Sequence, residues 1–188
     1  MNITYTIERV VAWTDFIRGN EALPEASGFY LLFSPNFLHK YYVGMSQNLR
    51  ARMAQRASTL HHVGVTDEML QGFQILLVSC NVTEGGGGLV NINLVEPLQQ
   101  NFHVIEGQHV DGINDPNVNL ENVLIIVCDN ALHVNNDALR NLGLPDEITA
   151  PNAGLNIQVN NRSGINIPFI GLPFAVNVEG GALLRYGN

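Results

Sequence analysis

Apolar and polar positions alternate, or β-branched and aromatic residues cluster, over Gly28–Ser34, Lys40–Met45 and Phe73–Val82. A period of two of this kind predicts three strands. Ser34-Pro35-Asn36 reads as a turn, which makes the first two strands a hairpin. From Ser46 or Asn48 the texture changes to NLRARMAQRAS, rich in helix formers and preceded by a side-chain oxygen able to cap. A helix behind the hairpin is predicted. Glycines 85–88 then break the chain before Leu89 to about Val104, where Leu89, Ile92, Leu94, Val95, Leu98 and Phe102 trace an apolar face. This spacing predicts a second helix that starts late or kinks at Pro97. Beyond Gly107, turns rich in Asn, Asp and Gly separate predicted strands at Val123–Cys128, Leu155–Val159, Ile165–Ile170 and Phe174–Val178.

These elements predict an α+β fold: a small mixed or antiparallel three-stranded sheet flanked by helices, followed by a β-rich C-terminal extension. The expected organisation is an N-terminal extension over 1–21, a core over 22–108, and an acidic, Asn-rich region over 118–188 with no assigned role. At 188 residues and 46 % hydrophobic the chain can bury a core, which excludes a disordered or collagenous protein. Its longest aliphatic stretch, Val123–Val127, falls far short of the ~18 residues of a spanning helix. No export signal is visible at the amino terminus, so a cytoplasmic protein without a membrane partner is expected. Cys80 and Cys128 both sit in apolar runs, the usual setting of buried free thiols, and two cysteines exclude a disulfide scaffold.

Charge changes the picture. The net charge is −8, but residues 1–62 carry six Lys/Arg against four Asp/Glu, a balance of +2. The remainder holds three arginines against thirteen acids, or −10. A polyanion is therefore expected to meet the first part of the chain and to be repelled by the second.

The most informative segment is SGFYLLFSPNFLHKYYVGMSQNLRARMAQR. It sets Gly28-Phe29-Tyr30 on one strand, Tyr42-Val43-Gly44 on the next with a separation of twelve between the tyrosines, and then Ser46, Asn48-Leu49 and Arg52. Two phenols on one side of a hairpin, with an arginine projecting from the following helix, suit a phosphodiester. The guanidinium neutralises charge developing on phosphorus, and a phenol positions or deprotonates water. In this form and spacing the segment resembles the GIY-YIG nuclease family, whose paired strand motifs continue as G-x-S-x-N-L-x-x-R. The resemblance covers roughly residues 22–104 and points to a restriction-endonuclease-like or toxin-like member.

The resemblance implies a metal-dependent endonuclease acting on DNA, RNA not being excluded, with one Mg²⁺ or Mn²⁺. It implies that Tyr30, Tyr42, Arg52 and Glu96 are catalytic and that Glu96, on the helix after the third strand, ligates the metal. One of Tyr30 and Tyr42 acts as general base or water orienter while the other steadies a phosphate or leaving group. Gly44, Ser46 and Asn48 support the site, and Lys40, Arg50 and Arg56 are candidates for backbone contacts. Where the family often has histidine or tyrosine, four residues after the arginine, this chain has Arg56; His61 and His62 lie further on as substitutes from a loop. The family's supporting asparagine has no residue in register, Asn101 being early and Asn114 late. A rival reading is a non-catalytic binding protein on the same fold whose acidic surface engages a partner protein or a second copy through the C-terminal region. His103, Glu106 and His109 lack the spacing of a zinc helix, and Gly85–Gly88 read as a connector rather than a phosphate cradle.

Overall fold

The computed structural model describes residues 2–34, 41–83, 89–92, 120–132, 147–149, 155–167, 174–178 and 182–184. Ile3, Tyr5 and Ile7 alternate with polar residues and open β1, Asn2–Ala12, which leads into a short helix α1, Trp13–Ile17. The predicted hairpin is present as β2, Gly28–Phe33, and β3, Tyr41–Ser46. Helix α2, Leu49–His62, follows as predicted, and the predicted third strand is β4, Gln74–Thr83. Then come β5, Leu89–Ile92, α3, Leu120–Leu132, and the strands β6, Glu147–Thr149, β7, Leu155–Asn161, β8, Phe174–Val178, and β9, Ala182–Leu184.

A mixed seven-stranded sheet in the order β3-β2-β4-β1-β7-β8, with β5 pairing β4, replaces the expected three-stranded one. Every pairing in it is antiparallel except β1 with β7. Residues 1–21, read from sequence as an extension, supply β1 beside β4, and the C-terminal region supplies β7 and β8 to the same sheet. β6 and β9 form a separate two-stranded sheet. The fold is α+β, and among the described residues no helix is long and apolar enough to cross a membrane.

Three other expectations need correction. Leu89–Ile92 is a strand, so the apolar run does not open as helix: it pairs with β4 from Thr83 to Cys80, its Leu-Val-x-Ile composition suits a ladder, and the late start at Pro97 lies outside the described residues. Val123–Cys128 lies inside α3. Leu120, Val123, Leu124, Ile125, Val127 and Cys128 are all buried, so the aliphatic run belongs to a helix covered on more than one side. Residues 165–167 are likewise not extended strand.

A register shift between Ile7 and Arg9 lets β1 serve two cores. Before it, Ile3, Tyr5 and Ile7 join Phe29, Leu31, Leu76, Val78 and Cys80 on one buried face; after it, Val11 lies on the other. A β-bulge re-aims side chains in this way. On the second face Val11, Tyr30, Leu32, Ile75 and Leu77 pack against Leu49, Met53 and Ala57 of α2. Burial of the larger side chains stabilises this contact by ~1.5–3 kcal/mol each. On the first face the Tyr5 ring meets Phe29 edge-on at 5.8 Å, and its hydroxyl donates to the Leu120 carbonyl at 2.6 Å. That bond ties the start of α3 to the centre of the sheet.

Candidate functional site

Backbone register brings the two tyrosines together. Tyr30 pairs with Gly44 across the hairpin and Leu32 with Tyr42, so the tyrosines are diagonal neighbours on the α2 face. Their rings stack with centroids 6.1 Å apart and planes inclined by 27°. Gly44 makes room for this, because a Cβ there would lie 2.5 Å from both Cζ and Oη of Tyr30. Glycine in a strand interior often marks such a close approach.

The turn into α2 sets the phase of its arginines. Ser46 Oγ donates to the Asn48 carbonyl at 2.9 Å and accepts from the Asn48 amide at 3.1 Å. Asn48 is the N-cap, its Oδ1 accepting from the Ala51 amide at 2.9 Å, a contact worth ~1 kcal/mol. With the helix begun there, Leu49, Met53 and Ala57 face the core while Arg52 and Arg56, four residues apart, line the cavity beside the tyrosines. Ser46 and Asn48 thus act on the site through the helix they start.

Arg56 is bound to both phenols. Its Nε donates to Tyr30 Oη at 3.3 Å, a terminal nitrogen donates to Tyr42 Oη, and the guanidinium carbon stands 4.2 Å from the Tyr42 ring centroid. Burial works to lower the Arg56 pKa, but contacts with Tyr30, then Tyr42 and Glu121, outweigh it and leave the pKa raised. The Tyr42 pKa is pushed up to about 12, mainly by burial and then by Tyr30, against the lowering effect of Arg56. Tyr42 is therefore neutral at physiological pH. Arg52, partly exposed, makes no side-chain hydrogen bond or ion pair among the described residues.

These groups surround an open cavity of about 720 Å³, lined by Tyr30, Tyr42, Ser46, Arg52, Arg56 and Glu121 among others. Glu121, in the first turn of α3, is the carboxylate that sequence reasoning missed, and both Tyr42 and Arg56 feel its charge. It stands 79 residues beyond Tyr42, so no local spacing links them. The one available signal was an acid opening an apolar helix, and reading that helix as a strand hid it. Among the described lining residues two arginines face one glutamate, a positive excess in a chain of net charge −8.

Other expected site residues are placed elsewhere. Arg50 donates to the Leu23 carbonyl at 2.9 Å and pairs with Glu25 at 2.6 Å, away from the cavity. His61 pairs with Asp67 at 2.8 Å at the far end of α2, and His62 is exposed beside it. Neither histidine lines the cavity. Lys40 and Glu96 lie outside the described residues, as do Asn101, His103, Glu106, His109 and Asn114. Among the described residues no group of three His, Cys, Asp or Glu side chains converges.

No family model, no curated protein and no solved structure matches this chain.

Proposed function

We propose that this cavity hydrolyses phosphodiester bonds in nucleic acid, DNA in the first place, as a metal-dependent endonuclease. The observation that carries the reading is the pair of stacked phenols beside an arginine without a side-chain partner among the described residues, in a cavity whose described lining carries a positive excess within an acidic protein. The spacing of Gly28-Phe29-Tyr30, Tyr42-Val43-Gly44 and Arg52, with its resemblance to the GIY-YIG nucleases, supports it.

On this reading Arg52 pairs with the scissile phosphate, whose oxygens match a guanidinium fork. Tyr42 keeps its proton at neutral pH and acts as a hydrogen-bond donor; one of the two phenols orients the attacking water while the other steadies a phosphate or leaving group. Glu121 is the one carboxylate among the described residues that line the cavity. One carboxylate completed by water and substrate phosphate fits Mg²⁺ or Mn²⁺, so Glu121 is the described residue that would hold the ion. When bound, the ion supplies positive charge at a phosphoryl oxygen and acidifies water. Glu96 is the other candidate for this place.

The test is cleavage of supercoiled plasmid, linear DNA and structured RNA with Mg²⁺, Mn²⁺ or EDTA. We expect metal-dependent cutting that falls ~10²-fold or more in Glu121→Gln and in Arg52→Met. Full activity in Glu121→Gln with loss in Glu96→Gln returns the ligand role to Glu96. Failure of the folded protein to cut or bind any substrate sinks the nuclease reading in favour of a binding protein whose acidic surface meets a protein partner.

A further inference from the structure

Two arginines one helical turn apart reach the same cavity, yet their surroundings differ. Arg52 is uncommitted among the described residues, whereas Arg56 is held by both phenols and stacked on one of them. An arginine that binds substrate directly keeps its fork open toward the ligand. Arg56 has spent its Nε and one terminal nitrogen on protein oxygens.

We propose that Arg56 is a positioning residue: its guanidinium bridges Tyr30 and Tyr42, fixes them as a pair, and so presents them to the anion that Arg52 meets. The identity of that anion rests on the nuclease reading; the bridge itself does not. A guanidinium only donates, so each phenol oxygen must accept from Arg56. Neither phenol can then turn its acceptor side wholly to solvent. Planarity matters as well. A rigid fork reaches two oxygens at once while its Cζ stands over the Tyr42 ring, which a lysine ammonium cannot do. The phase of α2 supplies the register, because Arg56 lies four residues past Arg52 and one before Ala57, whose side chain is in the core.

The experiment labels tyrosine at Cζ with ¹³C and follows the Tyr30 and Tyr42 resonances, assigned through Tyr→Phe variants. It compares the wild type with Arg56→Met, Arg56→Lys and Arg52→Met, and titrates each with inorganic phosphate. Arg56→Met and Arg56→Lys should both shift the two phenol resonances; Arg52→Met should leave the resonances in place and weaken phosphate binding at least tenfold, clearly more than either Arg56 variant does. In cleavage, Arg56→Met should lower kcat by ~10²-fold with KM nearly unchanged, as misplacing groups by ~1 Å does. Unmoved phenol resonances in Arg56→Met, or wild-type behaviour in Arg56→Lys, overturn the bridge. Loss of phosphate binding in Arg56→Met as complete as in Arg52→Met makes Arg56 a substrate contact and also overturns it. If the wild type neither cuts nucleic acid nor binds phosphate, the nuclease reading fails while the resonances still decide the bridge.

Discussion

Gly44→Ala is the sharpest perturbation the structure offers, because packing and backbone preference push its effect in opposite directions. Gly44 is not in the left-handed backbone region, so alanine fits its conformation. In open space the exchange should stabilise by ~0.5–1 kcal/mol through lost flexibility of the unfolded chain. Here the new Cβ falls 2.5 Å from Cζ and Oη of Tyr30 and 2.9 Å from its Cε1. Carbon contacts settle at ~3.5–4.0 Å, so the ring must retreat by ~1 Å or the strands must part. Tyr30 is 1 % exposed, packed in the α2 core and bonded to Arg56, so retreat disturbs both. Overpacking of this kind costs ~1–3 kcal/mol, which lowers Tm by ~2–12 °C in a chain of this size. Thermal unfolding followed by circular dichroism measures it, and a Gly44→Ala/Tyr30→Leu double variant shows the source. With the ring gone the alanine should cost nothing, giving a coupling of ~1 kcal/mol or more. An unchanged or raised Tm in Gly44→Ala refutes the close approach.

Three further expectations follow from particular contacts. Tyr5→Phe removes only the hydroxyl that donates to Leu120, so it should cost ~0.5–1.5 kcal/mol in denaturant unfolding and lower cleavage further by loosening Glu121 one residue on. The Asp67 carboxyl is held below its usual pKa by the His61 hydrogen bond and, secondarily, by Trp13. Its stabilising effect is present above the unfolded carboxylate value and is lost as pH falls through the depressed one, so the stability gap between the wild type and Asp67→Asn should close in acid. Cys80 and Cys128 are buried free thiols whose pKa values burial pushes up, that of Cys128 to about 12. Both should resist a thiol reagent at neutral pH in the folded protein and react in denaturant; prompt reaction of the native protein refutes their burial.

The hairpin, α2 and β4 were legible because each announces itself within a dozen residues: alternation for the strands, a capping Asn48 and helix formers for α2. The placing of Tyr30, Tyr42 and Arg52 at one cavity follows from that local order. What stayed hidden depends on distant partners. Leu89-Val-Asn-Ile and Val123–Val127 are short apolar runs whose local composition suits strand or helix equally, and β4 and the Tyr5 face decide between them. Glu121 enters the site only through the docking of α3, and the binding of Arg56 to both phenols only through stacking across the hairpin.

The parallel pairing of β1 with β7 has a consequence in time. Asn2 stands opposite Asn156, so once β1 has left the ribosome it takes this neighbour only after some 154 further residues have been made. At ~5–20 residues per second that interval is ~8–30 s, during which one edge of β1 is an open template for any passing strand. Nascent chains halted before residue 155 should therefore be the aggregation-prone species in its biosynthesis, and a ribosome-bound chaperone the factor that sets its yield.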